Sequence, residues 1–248
     1  RIQTRKGHKL KVGPYILLDI LGEGGMGRVF KARHVRMGRE VALKVIRKER
    51  ISNKNVIRRF QTEIRAAGQL VHPNIVLALD ADSAGQMHYV AMELIEGSDF
   101  KQLVTDHGPM PMHVACEYMR QAAIGLPHAF EQGMVHRDIK PSNLMVTKQG
   151  VVKILDLGLA MLNEPDAIGK PEQVTVEGLV LGTPDFLAPE QAQNAHSVDV
   201  RADLYALGGT LYFLLTGKIP YDGPTPTAKV LRHVNEPPPS VRVWRPDL

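Results

Sequence analysis

Residues 136–143 read HRDIKPSN, and three of them are equipped for chemistry. Asp138 can take a proton, Lys140 can steady an anion, and Asn143 offers a neutral oxygen to a metal ion. A charged surface turn would look the same in isolation. Asp156, in KILDLGLA, ends a strand just before a glycine. A carboxylate there suits Mg2+, which takes hard oxygen ligands from one or two carboxylates plus phosphates. It is also an ordinary turn residue. Lys44 sits in the apolar run VALKV. Buried, it needs an anionic partner, because an unpaired ammonium is costly away from water; the alternative is an edge lysine reaching solvent. Glu63, among Phe60, Ile64 and Ala67, is a carboxylate able to pair with it. Gly22, Gly24 and Gly27 in GEGGMGRV follow a strand. That spacing fits a nucleotide loop or a plain glycine-rich turn. A dinucleotide fold would need a helix next, but RVFKAR is strand-like, which favours a hairpin. Glycines there let backbone N–H groups approach phosphates unobstructed.

These residues need a scaffold, and the pattern supplies one. From 15 to 46, YILLDILG, RVFKARH and EVALKVI are β-branched and apolar runs parted by glycine or charged turns. Residues 55–71 place Val56, Ile57, Phe60, Ile64, Ala67 and Leu70 at spacings of three and four, a helix. Residues 74–97 return to strands with a hairpin turn over 82–86. Beyond Gly97 two long helical stretches, 111–133 and 202–217, flank short strands and tight turns. Strands plus one helix, then mostly helices, predicts two lobes joined near 93–98. No segment repeats, and EPPPS at 236–240 reads as extended chain.

The chain has 248 residues, 44% hydrophobic, with one cysteine, Cys116, so no internal disulfide forms. That fits a reducing compartment. No apolar run approaches the roughly 20 residues that span a bilayer, and no signal peptide is visible. A start at Arg1 rather than Met is expected of a fragment. The net charge of +5 conceals an asymmetry: residues 1–59 hold 17 Lys/Arg against 4 Asp/Glu. Nucleic acid or anionic lipid would account for a basic first quarter. A solvated basic surface accounts for it better, since no aromatic stacking set accompanies the charges.

With GTPDFLAPE at 182–190, these stretches in this order resemble the protein kinase family, over nearly the whole chain. GEGGMGRVFKA, HPNIV and LAPEQA are most similar to bacterial serine/threonine kinases of the eukaryotic type. The resemblance implies an α+β, two-lobed fold, with a small, mostly β lobe carrying one key helix and a larger, mostly α lobe. Residues 1–14 would be an extension, 15–95 the first lobe and 96–248 the second, cut short at its C-terminal end. It implies transfer of the γ-phosphoryl of Mg-ATP (Mn2+ being an alternative ion) to protein Ser/Thr hydroxyls. Gly22, Gly24 and Gly27, with Leu21, would cover the phosphates. Lys44 would hold the α- and β-phosphates and Glu63 would orient it. Val29, Ala42 and Met145 would sandwich the adenine, with Met92 behind it and the backbone of Glu93 and Ile95 bonding the purine. Asp99 falls where relatives use an acid for the ribose. Asp138 would accept the hydroxyl proton, Lys140 would neutralise the migrating phosphoryl, and Asn143 and Asp156 would bind the metal. Lys140 with Thr183 matches the Ser/Thr rather than the tyrosine pattern. Leu157 replaces the usual Phe and stays apolar.

Regulation follows from Arg137, a cation beside the base, which such families neutralise with a phosphate between Asp156 and Glu190. Thr175 is the only hydroxyl there before Thr183, so autophosphorylation at Thr175 is expected, with Glu177 supplying part of that charge permanently. Thr183 is expected to dock substrate by bonding Asp138 and Lys140. Glu96 and Asp185, near the expected peptide groove, predict a weak preference for Lys or Arg flanking the acceptor. Expected partners are ATP, protein substrates and a second copy for autophosphorylation, with no nucleic acid. The domain is expected in the cytoplasm, although the full-length protein could be membrane-anchored. A catalytically silent nucleotide-binding scaffold and a nucleic-acid-binding first lobe are the competing readings.

Overall fold

The computed structural model describes residues 10–48, 54–157, 183–193 and 198–248. They divide into two units. The first takes the chain up to Val71 together with Val76–Ile95; the second takes His72–Ile75 and the chain from Glu96 onward, apart from 161–163, which lie outside the described residues.

The first unit is a six-stranded antiparallel sheet in the order β1-β2-β3-β4-β6-β5, formed by β1 (Lys11–Val12), β2 (Tyr15–Gly24), β3 (Gly27–His34), β4 (Glu40–Ile46), β5 (Ala78–Ala84) and β6 (Met87–Glu93). The sheet takes in two residues of the segment before Tyr15. Lys11 and Val12 pair with Ile16 and Tyr15, and Val12 is buried, so the sheet begins there. Alternation along the strands sorts residues between two faces. Val41, Leu43, Tyr89, Ala91, Ala32, Leu17 and Tyr15 form one continuous apolar core. The opposite face follows from register: Val29 lies across from Lys44, Lys44 across from Val90, and Ala42 across from Met92. Helix α1 (Lys54–Ala67) buries Val56 and Phe60. Phe60 meets His88 edge-on at 5.6 Å between ring centres, and His88 shares its face with Val90 and Met92.

The second unit opens with β7 (Gly97–Asp99), which joins β8 (Leu144–Thr147) and β9 (Val152–Ile154) in a three-stranded sheet. Its helices are α2 (Phe100–His107), α3 (Met112–Glu131), α4 (Pro189–Gln193), α5 (Val200–Thr216) and α6 (Pro226–Asn235). Sequence periodicity located α3 and α5 but missed α2 and α6, which are short and announced mainly by their caps. Asp99 accepts from the Gln102 amide to start α2, and Thr225 accepts from the Ala228 amide to start α6. Such caps are each worth about 1 kcal/mol. Phe100, Leu126, Leu144, Ile154 and Leu214 are fully buried between these elements. Residues 72–75 belong here because Asn74 is tied in three ways. Its carbonyl accepts from the Ile154 amide at 2.8 Å, and its Nδ2 donates to the Val152 carbonyl at 3.0 Å and to Gln121 Oε1 at 3.3 Å. Among the described residues no helix is long and apolar enough to cross a membrane.

Candidate active site

In the first unit, β2 and β3 form a hairpin, with Gly24 paired to Gly27 across the turn and Gly22 paired to Val29. The three glycines are not equivalent. A Cβ on Gly22 or Gly24 would meet nothing within 4 Å, whereas one on Gly27 would collide with the Val45 carbonyl. Gly22 and Gly24 leave open space over the hairpin. Gly27 is required by the close approach of β4. Leu21 is exposed on β2. Lys44 is buried, with Nζ 3.9 Å from the Met26 sulfur, so the hairpin tip reaches the lysine. Val29, Ala42, Lys44 and Met92 share one sheet face by register. Glu63 follows Phe60 by one helical turn and is half-buried. The Glu93 amide donates to the Leu77 carbonyl at 3.0 Å, and its Oε1 accepts from the Leu77 amide at 2.9 Å. Its backbone donor is therefore committed within the sheet.

In the second unit, residues 136–143 form a tightly bonded loop that ends in a turn of 3-10 helix, Pro141–Asn143. Lys140 Nζ donates to Asp138 Oδ2 and to Thr183 Oγ1, both at 2.7 Å. The Thr183 amide and hydroxyl donate to Asp138 Oδ1 at 3.2 and 3.3 Å. Asn143 Nδ2 donates to the Asp138 carbonyl at 2.8 Å and to its Oδ2 at 3.3 Å. That commits the amide nitrogen and leaves Asn143 Oδ1 as a hard oxygen donor. The Asp138 carboxylate is thus flanked by a cation, a hydroxyl and an amide.

Further bonds hold the loop. His136 is buried, and its Nδ1 accepts from the Asp138 amide at 3.3 Å. The proton must then sit on Nε2, which donates to the Leu155 carbonyl at 2.7 Å and joins the loop to the residue before Asp156. The amides of His136 and Arg137 donate to Asp203 Oδ2 and Oδ1 at 2.8 and 2.7 Å. Gln191 Nε2 donates to the Arg137 carbonyl at 2.9 Å. Arg137 and Asp156 are the two described non-glycine residues with left-handed backbones, at φ 65° and 58°. Such conformations cost about 1–3 kcal/mol and persist where surroundings enforce them. Burial pushes the Asp203 carboxyl above the ordinary range, against the pull of His136 and the two amide donors.

Asp203 and Gln191 were missed by sequence reasoning. A lone acid inside the apolar run ADLYALGGTLYFLLTG was the available signal, since a buried charge demands partners. Asp99 serves as the cap of α2 through Oδ1, and across β7–β8 it pairs with Met145, half-buried. Leu157 is buried. Glu96 and Asp185 do not stand as uncompensated charges: Lys148 lies 3.2 Å from Glu96 and Lys229 lies 2.6 Å from Asp185. Each of the two acids from which a basic preference was expected thus has a lysine beside it, Glu96 in an exposed pair and Asp185 in a partly buried one. Thr175 and Glu177 lie outside the described residues.

Residues 15–243 match the family described as Protein kinase domain. Similar curated proteins include the serine/threonine-protein kinase PrkC of Bacillus subtilis, 36% identical over 95% of this chain and 35% of that protein. PknB of Mycobacterium leprae is 40% identical over 90% of this chain and 36% of its own length. The chain thus spans about a third of the curated relatives it matches. Among solved structures, the Mycobacterium tuberculosis PknI kinase domain superposes with a TM-score of 0.74 at 27% identity, covering 97% of this chain and 85% of that one. By family match and by fold, this chain belongs to the protein kinase domain family.

Proposed function

We propose that this domain transfers the γ-phosphoryl group of ATP to Ser or Thr hydroxyls of proteins, with a divalent cation, Mg2+ or Mn2+. The observation that carries the reading is the Asp138–Lys140–Thr183–Asn143 cluster, closed by bonds of 2.7–3.3 Å. Asp138 orients and deprotonates the acceptor hydroxyl, and Lys140 steadies the transferring phosphoryl. Phosphoryl transfer depends on positioning and charge neutralisation, which this cluster supplies. The open space over Gly22 and Gly24 admits phosphates to backbone N–H groups, with Leu21 and Gly27 framing the hairpin. The face bearing Val29, Ala42, Lys44 and Met92 suits a purine ring, with the backbone of Glu93 and Ile95 bonding its edge. Met145 and Asp99 of the second unit keep the adenine and ribose roles that the family resemblance gives them. Lys44, oriented by Glu63, holds the phosphates.

A divalent ion would be held by Asn143 Oδ1 and the Asp156 carboxylate and would neutralise phosphate charge during transfer. No group of three His, Cys, Asp or Glu able to hold a metal exists among the described residues, so phosphate oxygens and water would complete its shell. Incubation with Mg-ATP and a basic carrier protein tests the reading. The wild-type domain is expected to incorporate phosphate on Ser/Thr, and Asp138→Asn to lose orders of magnitude while staying folded. Near-normal turnover in Asp138→Asn removes the assigned base.

Three finer statements belong to the same proposal. Autophosphorylation at Thr175 is supported by the adjacency of Arg137 to Asp138 in sequence, and would proceed between two copies of the domain. Cytoplasmic placement is supported by the single cysteine and by ATP use. Nucleic acid is not proposed as a partner.

A further inference from the structure

Thr183 opens a tight turn, closed by the Phe186 amide donating to the Thr183 carbonyl at 3.1 Å. Because Thr183 also bonds Asp138 and Lys140, the turn borders the acceptor cluster. The kinase reading places a peptide that presents a hydroxyl to Asp138 beside this turn. Phe186, Leu187 and Ala188 are buried, which anchors the far side of the turn. Asp185 is its charged residue, and its Oδ1 accepts from Lys229 Nζ at 2.6 Å, with side chains 26% and 21% exposed. The other acid near Lys229 is Asp222, at 3.9 Å and 86% exposed, a far weaker partner.

Lys229 is presented from a fixed helix. Thr225 caps α6. His233, one turn beyond Lys229, is buried, with Nδ1 2.8 Å from the Tyr205 hydroxyl and its ring edge-on to Tyr221 at 4.6 Å. A single partly exposed pair of this kind adds at most about 1 kcal/mol to stability. Its position beside the acceptor cluster gives it a different consequence, since charge complementarity governs partner choice.

We propose that Lys229 is a specificity-determining residue. By neutralising Asp185 at the edge of the acceptor cluster, it denies the domain a preference for basic residues at one position flanking the phosphorylated hydroxyl. This rests on the kinase reading above.

A positional-scanning Ser/Thr peptide library, phosphorylated with Mg-ATP by wild type, Lys229→Met and Asp185→Asn, tests it. Lys229→Met is expected to raise Lys and Arg over Ala by about fivefold at one flanking position, the scale of a partly exposed charge pair. Asp185→Asn is expected to turn the same position toward Asp and Glu. Thermal unfolding confirms that each variant folds, and either folded variant alone carries the test. Phosphorylation by the wild type, with variant profiles superimposable on its own, overturns the inference and leaves the kinase reading standing. No phosphorylation of any peptide by the wild type overturns that reading, and this inference with it.

Discussion

Replacing Asp203 with Ala removes two acceptors at once. The amides of His136 and Arg137, now bonded to it at 2.8 and 2.7 Å, would be left buried without these acceptors. Asp203 is only 2% exposed and His136 only 1%, so water cannot readily serve them. Each orphaned buried donor costs about 1–3 kcal/mol, so the pair costs about 2–6 kcal/mol. For a chain of this size each kcal/mol lowers the unfolding midpoint by about 2–4 °C, so a mid-range loss of about 4 kcal/mol predicts a fall of about 8–16 °C. The damage is also local. Arg137 is held left-handed at φ 65°, and Asp203 with Gln191 grips the backbone on both sides of it. Released, Arg137 relaxes toward an ordinary conformation and carries Asp138 away from Lys140 and Thr183. Phosphotransfer should then fall further than stability alone explains, measured well below the variant's own midpoint. Asp203→Asn keeps one acceptor oxygen but points an NH2 at the second amide, so its losses should be intermediate. A midpoint within about 2 °C of wild type, with unaltered turnover in Asp203→Ala, would refute the reasoning.

The glycine hairpin yields a paired prediction. Gly27→Ala forces a Cβ into the Val45 carbonyl and should cost about 1–3 kcal/mol by thermal unfolding, whereas Gly22→Ala, with nothing within 4 Å, should leave the midpoint nearly unchanged and raise the KM for ATP. Equal stability losses in the two variants would contradict the assignment. Burial holds the His233 imidazole below its ordinary value of 6.5, against a smaller opposing pull from Asp185 and the backbone of Pro184. The unfolded chain therefore takes up the proton more readily, and stability present above about pH 6.5 is lost as pH falls through that value toward the lower folded one. His72 is lowered by burial, by His128 and by Lys153, and adds in the same direction. His233→Gln should flatten the dependence of the midpoint between pH 7 and 5, by at most about 1.4 kcal/mol per pH unit; an unchanged slope would remove His233 as its source.

What the sequence determined by itself was whatever local geometry encodes. Alternation and β-branching marked the strands of the first unit, and the glycines of GEGGMGRV followed by RVFKAR favoured a hairpin. The three-and-four spacing around Phe60 required a helix, and residues 136–143 juxtapose base, cation and amide within two turns of chain. The tertiary structure decided which groups those residues meet, because that depends on elements docking across long separations. Asp203 lies 67 residues from the His136 amide it accepts from, and Lys229 lies 44 residues from Asp185. A lone acid in an apolar helix announces that a partner is needed, but no periodicity names the partner. Gly22 and Gly27 look alike in the sequence and differ only because Val45 of the neighbouring strand abuts one of them. Asp185 reads as a free charge until α6 brings Lys229 to 2.6 Å. Short-range sterics and patterning are properties of the chain; pairing, burial and charge compensation are properties of its packing.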